Sequence, residues 1–178
     1  MSPQLMLATS TISLAFVLYT VGVFWERAAG RLRLPHLIVF WCGLVFDTLG
    51  TTIMTGIAAG ADPAAVATAG GLNLHWITGA LAIVLMLFHA SWATLAYARR
   101  SERRLASFHW LSIAVWLVWT LPYAMGLLMG IPAIHMDGAL SFVHALAVSL
   151  FLAAACVLLP AALRGRAAHP GSASASVR

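Results

Sequence analysis

Five long apolar runs constrain the fold of this chain more than any other feature of its sequence. Each run holds about twenty residues, the length at which an α-helix crosses the hydrocarbon core of a bilayer, about 30 Å thick. The runs cover residues 5–25, 37–59, 74–98, 108–130 and 140–163. Backbone groups in lipid must be hydrogen-bonded internally, and the alternating segments of a membrane β-barrel are not visible in the sequence. The runs therefore predict five transmembrane helices.

The composition agrees with a membrane protein and argues against a soluble domain. Hydrophobic residues make up 62% of the chain and charged residues only 8%, against the roughly 25% charged residues of soluble domains. No internal repeat is visible. We therefore predict an all-α integral membrane protein, with a single five-helix bundle over residues 1–163. The polar residues 164–178 cannot form a core and are predicted to be a disordered tail.

The distribution of positive charge predicts the orientation of the bundle in the membrane. The chain has no lysine, and its arginines all fall on one side of the predicted topology. They are Arg27, Arg31, Arg33, Arg99, Arg100, Arg103, Arg104, Arg164, Arg166 and Arg178. Because positively charged loops stay in the cytoplasm, the N-terminus is expected outside and the C-terminus inside. The net charge of +5 then reflects contact with a lipid bilayer rather than with nucleic acid.

Six histidines fall into two groups when they are placed by depth in the predicted bundle. In the third run, His75 and His89 lie on one helix face and differ in height by about 21 Å. The inner group consists of His36, His89 and His109, and the outer group of His75, His135 and His144. Histidines at helix ends often contact lipid headgroups, and this interpretation stays open for His36, His109 and His135. Ionisable residues inside a span usually face the bundle interior, which applies to His89 and His144.

Neutral imidazoles from two helices at one level are typical ligands of haem iron. A zinc site would require four ligands, which neither group supplies. The outer axial pair is predicted to be His75 with His144. The inner site is predicted to use His89 with either His109 or His36, and replacing His89 by alanine should abolish one haem signal, whereas replacing His135 should not.

Asp47 is a carboxyl group halfway along the second apolar run. No lysine or mid-membrane arginine is available to pair with it, so it is expected to be protonated or hydrogen-bonded. Thr51 lies on the same helix face and could share a hydrogen bond. Two roles stay open: Asp47 locks its helix to a neighbour, or it serves a proton relay or a liganding histidine.

Four segments together resemble the heme-sensing membrane protein A (HsmA) family of small bacterial membrane proteins. The segments are YTVGVFWERAAGRL, HLIVFWCGLVFDTLGTTIM, HWITGALAIVLMLFHASWA and FHWLSIAVWLVWTLPYAMG, within residues 19–130. The resemblance implies a protein of the bacterial cytoplasmic membrane that captures haem b and limits its toxicity. The family-like positions are His36, Asp47, His75, His89 and His109, whereas His144 lies beyond the stretch that carries the resemblance.

The alternatives to haem capture are electron transfer, proton-coupled transport and catalysis. Two haems at the two levels, with irons about 20 Å apart by helix rise, would instead make a transmembrane cytochrome b for electron transfer. A proton-coupled carrier would use Asp47 and the histidines as a relay, although no inverted repeat supports it. An enzyme is the least supported class, because no Ser/His/Asp or Cys/His arrangement and no phosphate-binding loop is recognised. A homodimer is compatible with the sequence, which specifies neither an interface nor a redox partner.

Overall fold

The structure is a computed structural model that describes residues 2–60, 70–100, 102–130, 134 and 136–167. Side chains are described for these residues except 70–73, 157 and 159–167. Asp62 and His135, which lie between predicted spans in the outer loops, fall outside the described residues. So do residues 168–178 of the predicted tail.

The described part of the chain forms five helices, which confirms the all-helical prediction. They are α1 (Pro3–Ala29), α2 (Leu34–Ala59), α3 (Gly70–Ala98), α4 (Glu102–Gly130) and α5 (Gly138–Ala167). All five are long and apolar enough to cross a membrane. The helices extend beyond the apolar runs because their end turns contain polar residues: α4 begins at Glu102 rather than at 108. The predicted tail boundary is wrong for residues 164–167, since α5 continues to Ala167.

Local sequence signals determine where α1 and α5 begin and where α1 ends. The Ser2 hydroxyl accepts a hydrogen bond from the backbone N–H of Leu5 at 3.2 Å, and Pro3 occupies the first turn. Both features stabilise a helix N-terminus. Helix α1 ends at Gly30, whose φ of +67° is the left-handed conformation of a glycine C-cap. At the start of α5, the Asp137 carboxylate accepts a hydrogen bond from the Leu140 N–H at 2.9 Å.

Close packing between α1 and α2 depends on glycines that face large aromatic rings. A Cβ added at Gly22 would lie 2.7 Å from Cε1 of Phe40, and one at Gly43 would lie 2.5 Å from Cε1 of Tyr19. Only glycine therefore lets these rings approach the neighbouring backbone. The two contacts also establish that α1 and α2 are antiparallel, since the residue numbers rise on one helix as they fall on the other.

The short connections between α1 and α2 and between α3 and α4 lie at the same end of the bundle. The backbone N–H of Leu32 donates to the carbonyl of Leu105 at 3.0 Å and joins the α1–α2 connection to the first turn of α4. We call this the arginine end because it carries seven of the arginines: Arg27, Arg31, Arg33, Arg99, Arg100, Arg103 and Arg104. The outer surface of the bundle is apolar, with Phe151 73% exposed and Val84 64% exposed. Such a surface is stable in lipid, which supports a bilayer as the environment of the protein.

Candidate functional site

A row of three hydrogen-bonded polar side chains lies inside the bundle. Glu26, Ser112 and His89 come from α1, α4 and α3, and each is fully buried. The Ser112 hydroxyl donates to Oε2 of Glu26 at 2.5 Å, and its oxygen lies 3.0 Å from Nε2 of His89. Because the single hydroxyl proton of Ser112 is donated to Glu26, the Ser112 oxygen accepts the Nε2–H of His89. We call these three residues the buried polar row.

Aromatic rings enclose the histidine end of the buried polar row. The Phe40 ring meets the His89 imidazole edge to face, with ring centroids 4.6 Å apart, and the Phe108 ring lies 5.3 Å from it. Apolar walls exclude water and strengthen hydrogen bonds inside them. His89 is therefore held in a defined orientation by Ser112 and by two rings.

Both ends of the buried polar row carry polar atoms without a partner. Oε1 of Glu26 and Nδ1 of His89 are buried and have no hydrogen-bond partner among the described residues. Most buried polar atoms in proteins are hydrogen-bonded, so such atoms often mark functional positions. The row is thus satisfied in its middle and unsatisfied at its ends.

A fourth polar side chain, His36, lies opposite Glu26. Gly22 on α1 faces Phe40 on α2. Glu26 lies one turn after Gly22 and His36 one turn before Phe40, so both are nearer the arginine end. Nδ1 of His36 accepts the backbone N–H of Arg33 at 3.1 Å, so the proton of a neutral His36 ring is on Nε2. That Nε2 atom is buried without a partner. A hydrogen-bond donor and an unpaired carboxylate oxygen therefore face the same helix contact.

Asp47 forms a separate buried site nearer the middle of α2. Its Oδ2 atom accepts hydrogen bonds from Nε1 of Trp119 at 2.8 Å and from the hydroxyl of Tyr19 at 3.3 Å. These bonds join α2 to α4 and α1, which is the locking role among the two alternatives left open by the sequence. The donors are an indole and a phenol from other helices, whereas the expected partner was Thr51 on its own helix.

The outer histidines His75 and His144 lie on two helices that contact each other. His75 is in the second turn of α3 and His144 in the second turn of α5. The exposed His144 ring donates from Nδ1 to the Leu140 carbonyl at 2.8 Å, which leaves the Nε2 lone pair unengaged. The His75 ring packs against Gly126, where an added Cβ would lie 3.1 Å from its Cε1 atom. Nδ1 of His75 is buried without a partner.

His109 differs from the other two inner histidines because its ring is not in the core. Its Nδ1 atom donates to the Ala106 carbonyl at 3.1 Å, and its ring lies against Trp110 with centroids 5.1 Å apart. His36 contacts Trp25, with centroids 4.9 Å apart. Within the described residues, no hydrogen bond or ring contact joins two histidines. The prediction that His144 faces the bundle interior is wrong, since its ring is exposed, and no pair of predicted ligands among the described residues is in direct contact.

The hydrogen bonds of each histidine ring decide which histidines could serve as iron ligands. Among the described side chains, no group of three or more His, Cys, Asp or Glu could hold a metal ion. Haem iron takes only two axial side chains, and metal-ligating histidines usually donate their other N–H to a carbonyl or carboxylate. His109 and His144 have this arrangement. His36 carries its proton on Nε2, and Nε2 of His89 is hydrogen-bonded to Ser112.

Sequence reasoning missed Glu26 and Ser112, although both are fully buried. Glu26 precedes Arg27 at the end of an apolar run and looks like an interfacial charge. It lies four residues after Gly22 and seven after Tyr19, and this spacing places all three on the face that packs against α2. Ser112 carries no comparable signal, because its partners are 86 and 23 residues away in the chain.

The buried polar row brings together three residue types of a hydrolase triad, because three distant helices pack together. Their order is different, however: serine lies between the acid and histidine, and its proton goes to the carboxylate. In a nucleophilic triad the histidine lies in the middle and takes the serine proton. The row is therefore not arranged for nucleophilic catalysis.

Comparison of the chain with protein-family models, with curated proteins and with solved structures finds no match. The resemblance to the HsmA family therefore stays a prediction. A function for this chain has to be inferred from its own residues and their contacts.

Proposed function

We propose that this protein binds haem b inside the bilayer and captures it, which limits the oxidative damage that free haem causes. The observation that carries the proposal is the geometry of His144: its Nδ1 donates to Leu140 at 2.8 Å and its Nε2 is unengaged. This is the preorganised form of an iron-binding imidazole. His75 and His144 would hold the haem, which would supply an iron centre that these residues shield from peroxide.

The partner that best matches His144 is His75. Both rings lie in the second turn of parallel helices in contact with each other. Gly126 on α4 packs against the Cε1–Nε2 edge of the His75 ring, where an added Cβ would lie 3.4 Å from Nε2. Binding of iron at Nε2 would therefore require rotation of the His75 ring. The chain's contribution is to carry two imidazoles on neighbouring helices, with Nδ1 of His75 buried and the His144 ring exposed on the bundle surface.

The inner histidines support a second haem less directly. His109 has a free Nε2 atom, whereas Nε2 of His89 would have to exchange Ser112 for iron. Two haems, with irons about 20 Å apart by helix rise, would turn the protein into a transmembrane electron carrier. One haem per chain therefore favours capture, and two haems with separate potentials favour electron transfer.

The proposed orientation places the arginine end in the cytoplasm and the N-terminus outside, in a bacterial cytoplasmic membrane. Seven arginines at the ends of α1 and α3 and the starts of α2 and α4 support it, because such residues resist translocation. The haem ligands His75 and His144 would then lie near the outer surface. A homodimer or a redox partner would have to contact the apolar flanks or the arginine end.

Haemin titration of the protein purified in detergent tests the proposal. We expect a red-shifted Soret band with one haem per chain, and at least tenfold weaker binding in His75→Ala and in His144→Ala. The matched control is His135→Ala, which removes a histidine from the predicted outer loop and should bind haemin like the wild type. A wild-type protein that stays colourless with excess haemin would overturn the proposal.

The buried polar row favours a second candidate, a proton-coupled carrier. Two protons could move together along it, from Nε2 of His89 to the Ser112 oxygen and from the Ser112 hydroxyl to Oε2 of Glu26. The imidazolium becomes a neutral imidazole and the carboxylate becomes a carboxylic acid, so charge and atoms balance. Ionisable groups inside spans commonly mark such paths.

Liposomes with an internal pH-sensitive dye test this candidate. Under a potassium diffusion potential, wild-type protein should admit protons at least tenfold faster than Glu26→Gln. Glu102→Gln, which changes an exposed carboxylate at the start of α4, is the control and should match the wild type. Proton entry equal to that of protein-free liposomes would exclude the candidate.

A further inference from the structure

A cavity of about 330 Å³ opens at the arginine end of the bundle. It is lined by Arg31, Leu32, Arg33, Leu34 and Tyr97, so it lies between the α1–α2 connection and the end of α3. Two guanidinium groups and a phenol hydroxyl are hydrogen-bond donors suited to a phosphate oxygen. The lining therefore fits an anionic phosphate group.

The positive charge of the cavity is poorly neutralised by the protein. Within the described residues the only ion pair joins Arg31 to Glu102, and its 3.4 Å contact lies between two exposed side chains. Exposed pairs of this kind contribute little free energy. Among the residues that the structure describes, Arg33 has no carboxylate partner. An anion in the cavity would thus interact with two cations that are almost free.

An apolar strip begins at the cavity and continues along α2. Leu34, Ile38 and Trp41 lie on one side of this helix and are 50%, 55% and 38% exposed. The Trp41 indole donates to the Thr94 hydroxyl at 3.1 Å, which fixes the strip beside α3. Thr94 is three residues from Tyr97, so the strip and the cavity share one side of the α2–α3 contact. We call these three exposed side chains the α2 strip.

We propose that the cavity binds the phosphate of an anionic phospholipid, with an acyl chain along the α2 strip. Both halves of such a lipid are matched: the phosphate by Arg31, Arg33 and Tyr97, and the chain by Leu34, Ile38 and Trp41. Basic loops attract anionic membranes in general. A cavity with an apolar extension instead binds one lipid per site, and this site is independent of the haem proposal.

Native mass spectrometry of the full chain released from nanodiscs measures the retained lipid. From phosphatidylglycerol discs we expect one retained lipid per chain, and little from phosphatidylcholine discs. Arg31→Gln with Arg33→Gln should weaken retention at least roughly 30-fold, because each guanidinium is expected to donate a charge-assisted hydrogen bond to the phosphate. Tyr97→Phe should weaken it several-fold. Arg99→Gln with Arg103→Gln removes the same charge outside the cavity lining and should retain lipid like the wild type.

Several outcomes would overturn the proposal. Equal loss in the two double variants would mean that bulk charge, rather than the cavity, attracts the lipid. Equal retention of phosphatidylcholine would mean that the net charge of the headgroup is not recognised. Displacement by millimolar inorganic phosphate would assign the cavity to a free anion, and displacement by haemin would assign it to haem carboxylates. Circular dichroism of each variant confirms that the helices are intact.

Discussion

The two buried carboxyl groups of the bundle have opposite kinds of surroundings. Oδ2 of Asp47 receives both the Trp119 indole and the Tyr19 hydroxyl, and the two donor rings pack edge to face with centroids 5.1 Å apart. Glu26 has one oxygen bonded to Ser112 and one oxygen without a partner. The Asp47 site is closed, whereas the buried polar row is open at both ends.

From this difference we infer a structural role for Asp47 and a functional role for the buried polar row. In the Asp47 site, an indole N–H and a phenol hydroxyl both donate to Oδ2, so one carboxylate oxygen serves both donors. In the buried polar row, a hydroxyl can reverse its direction and a histidine can exchange its proton between two nitrogens. Removal of a group should therefore cost more free energy of unfolding at the closed site than at the open one.

The largest effect is expected for Asp47→Ala. The change leaves the Trp119 N–H and the Tyr19 hydroxyl buried without an acceptor, and each unsatisfied donor costs about 1–3 kcal/mol. We expect a loss of about 4 kcal/mol in the free energy of unfolding, measured by thermal or denaturant unfolding in detergent. Asp47→Asn keeps an acceptor oxygen and is the control, with a much smaller loss. A small loss of stability in both variants would contradict the interpretation that Asp47 satisfies both buried donors.

Ser112→Ala should have the next largest effect, because it removes the centre of the open row. Glu26 and His89 then both lose their only hydrogen bond within the described residues. A loss of about 2 kcal/mol is expected. Ser112→Thr retains a hydroxyl and should recover most of the stability if the added methyl group is accommodated. An alanine variant as stable as the wild type would mean that the row contributes nothing to folding.

Glu26→Gln should reduce stability by about 1 kcal/mol or less, because the amide oxygen still accepts the Ser112 proton. The same change removes the Glu26 carboxylate, which would accept the proton at its end of the buried polar row. Stability and proton entry into liposomes should therefore respond differently, with near-normal unfolding and a strong loss of proton flux. Equal effects on both measurements would show that Glu26 is only structural.

The sequence predicted the helices well because lipid imposes a simple length and composition on a span. The ends were less accurate, since polar end turns such as the one at Glu102 carry no apolar signal. Asp47 was found because a single carboxyl group in the middle of an apolar run is rare and costly. Its partners were not found, since Tyr19 and Trp119 come from other helices.

The sequence could predict in which turn of a helix a histidine lies, but not the direction of its ring. His75 and His144 lie in equivalent turns of α3 and α5, as the spacing implied. The rotation of a helix about its axis is decided by contacts with its neighbours, so the sequence did not reveal that the His144 ring is exposed. The same limit concealed Glu26, whose buried position depends on which face of α1 packs against α2.

The smallest effect is expected for Tyr19→Phe, which tests how the closed site divides its strength. The Tyr19 hydroxyl lies 3.3 Å from Oδ2 of Asp47, whereas the Trp119 nitrogen lies at 2.8 Å. Hydrogen bonds weaken as they lengthen, so we expect a loss of about 0.5 kcal/mol for Tyr19→Phe and about twice that for Trp119→Phe. Both changes keep an aromatic ring, and unfolding in detergent measures the difference. A Tyr19→Phe variant as unstable as Asp47→Ala would make the phenol the principal anchor and reverse the order of the two donors.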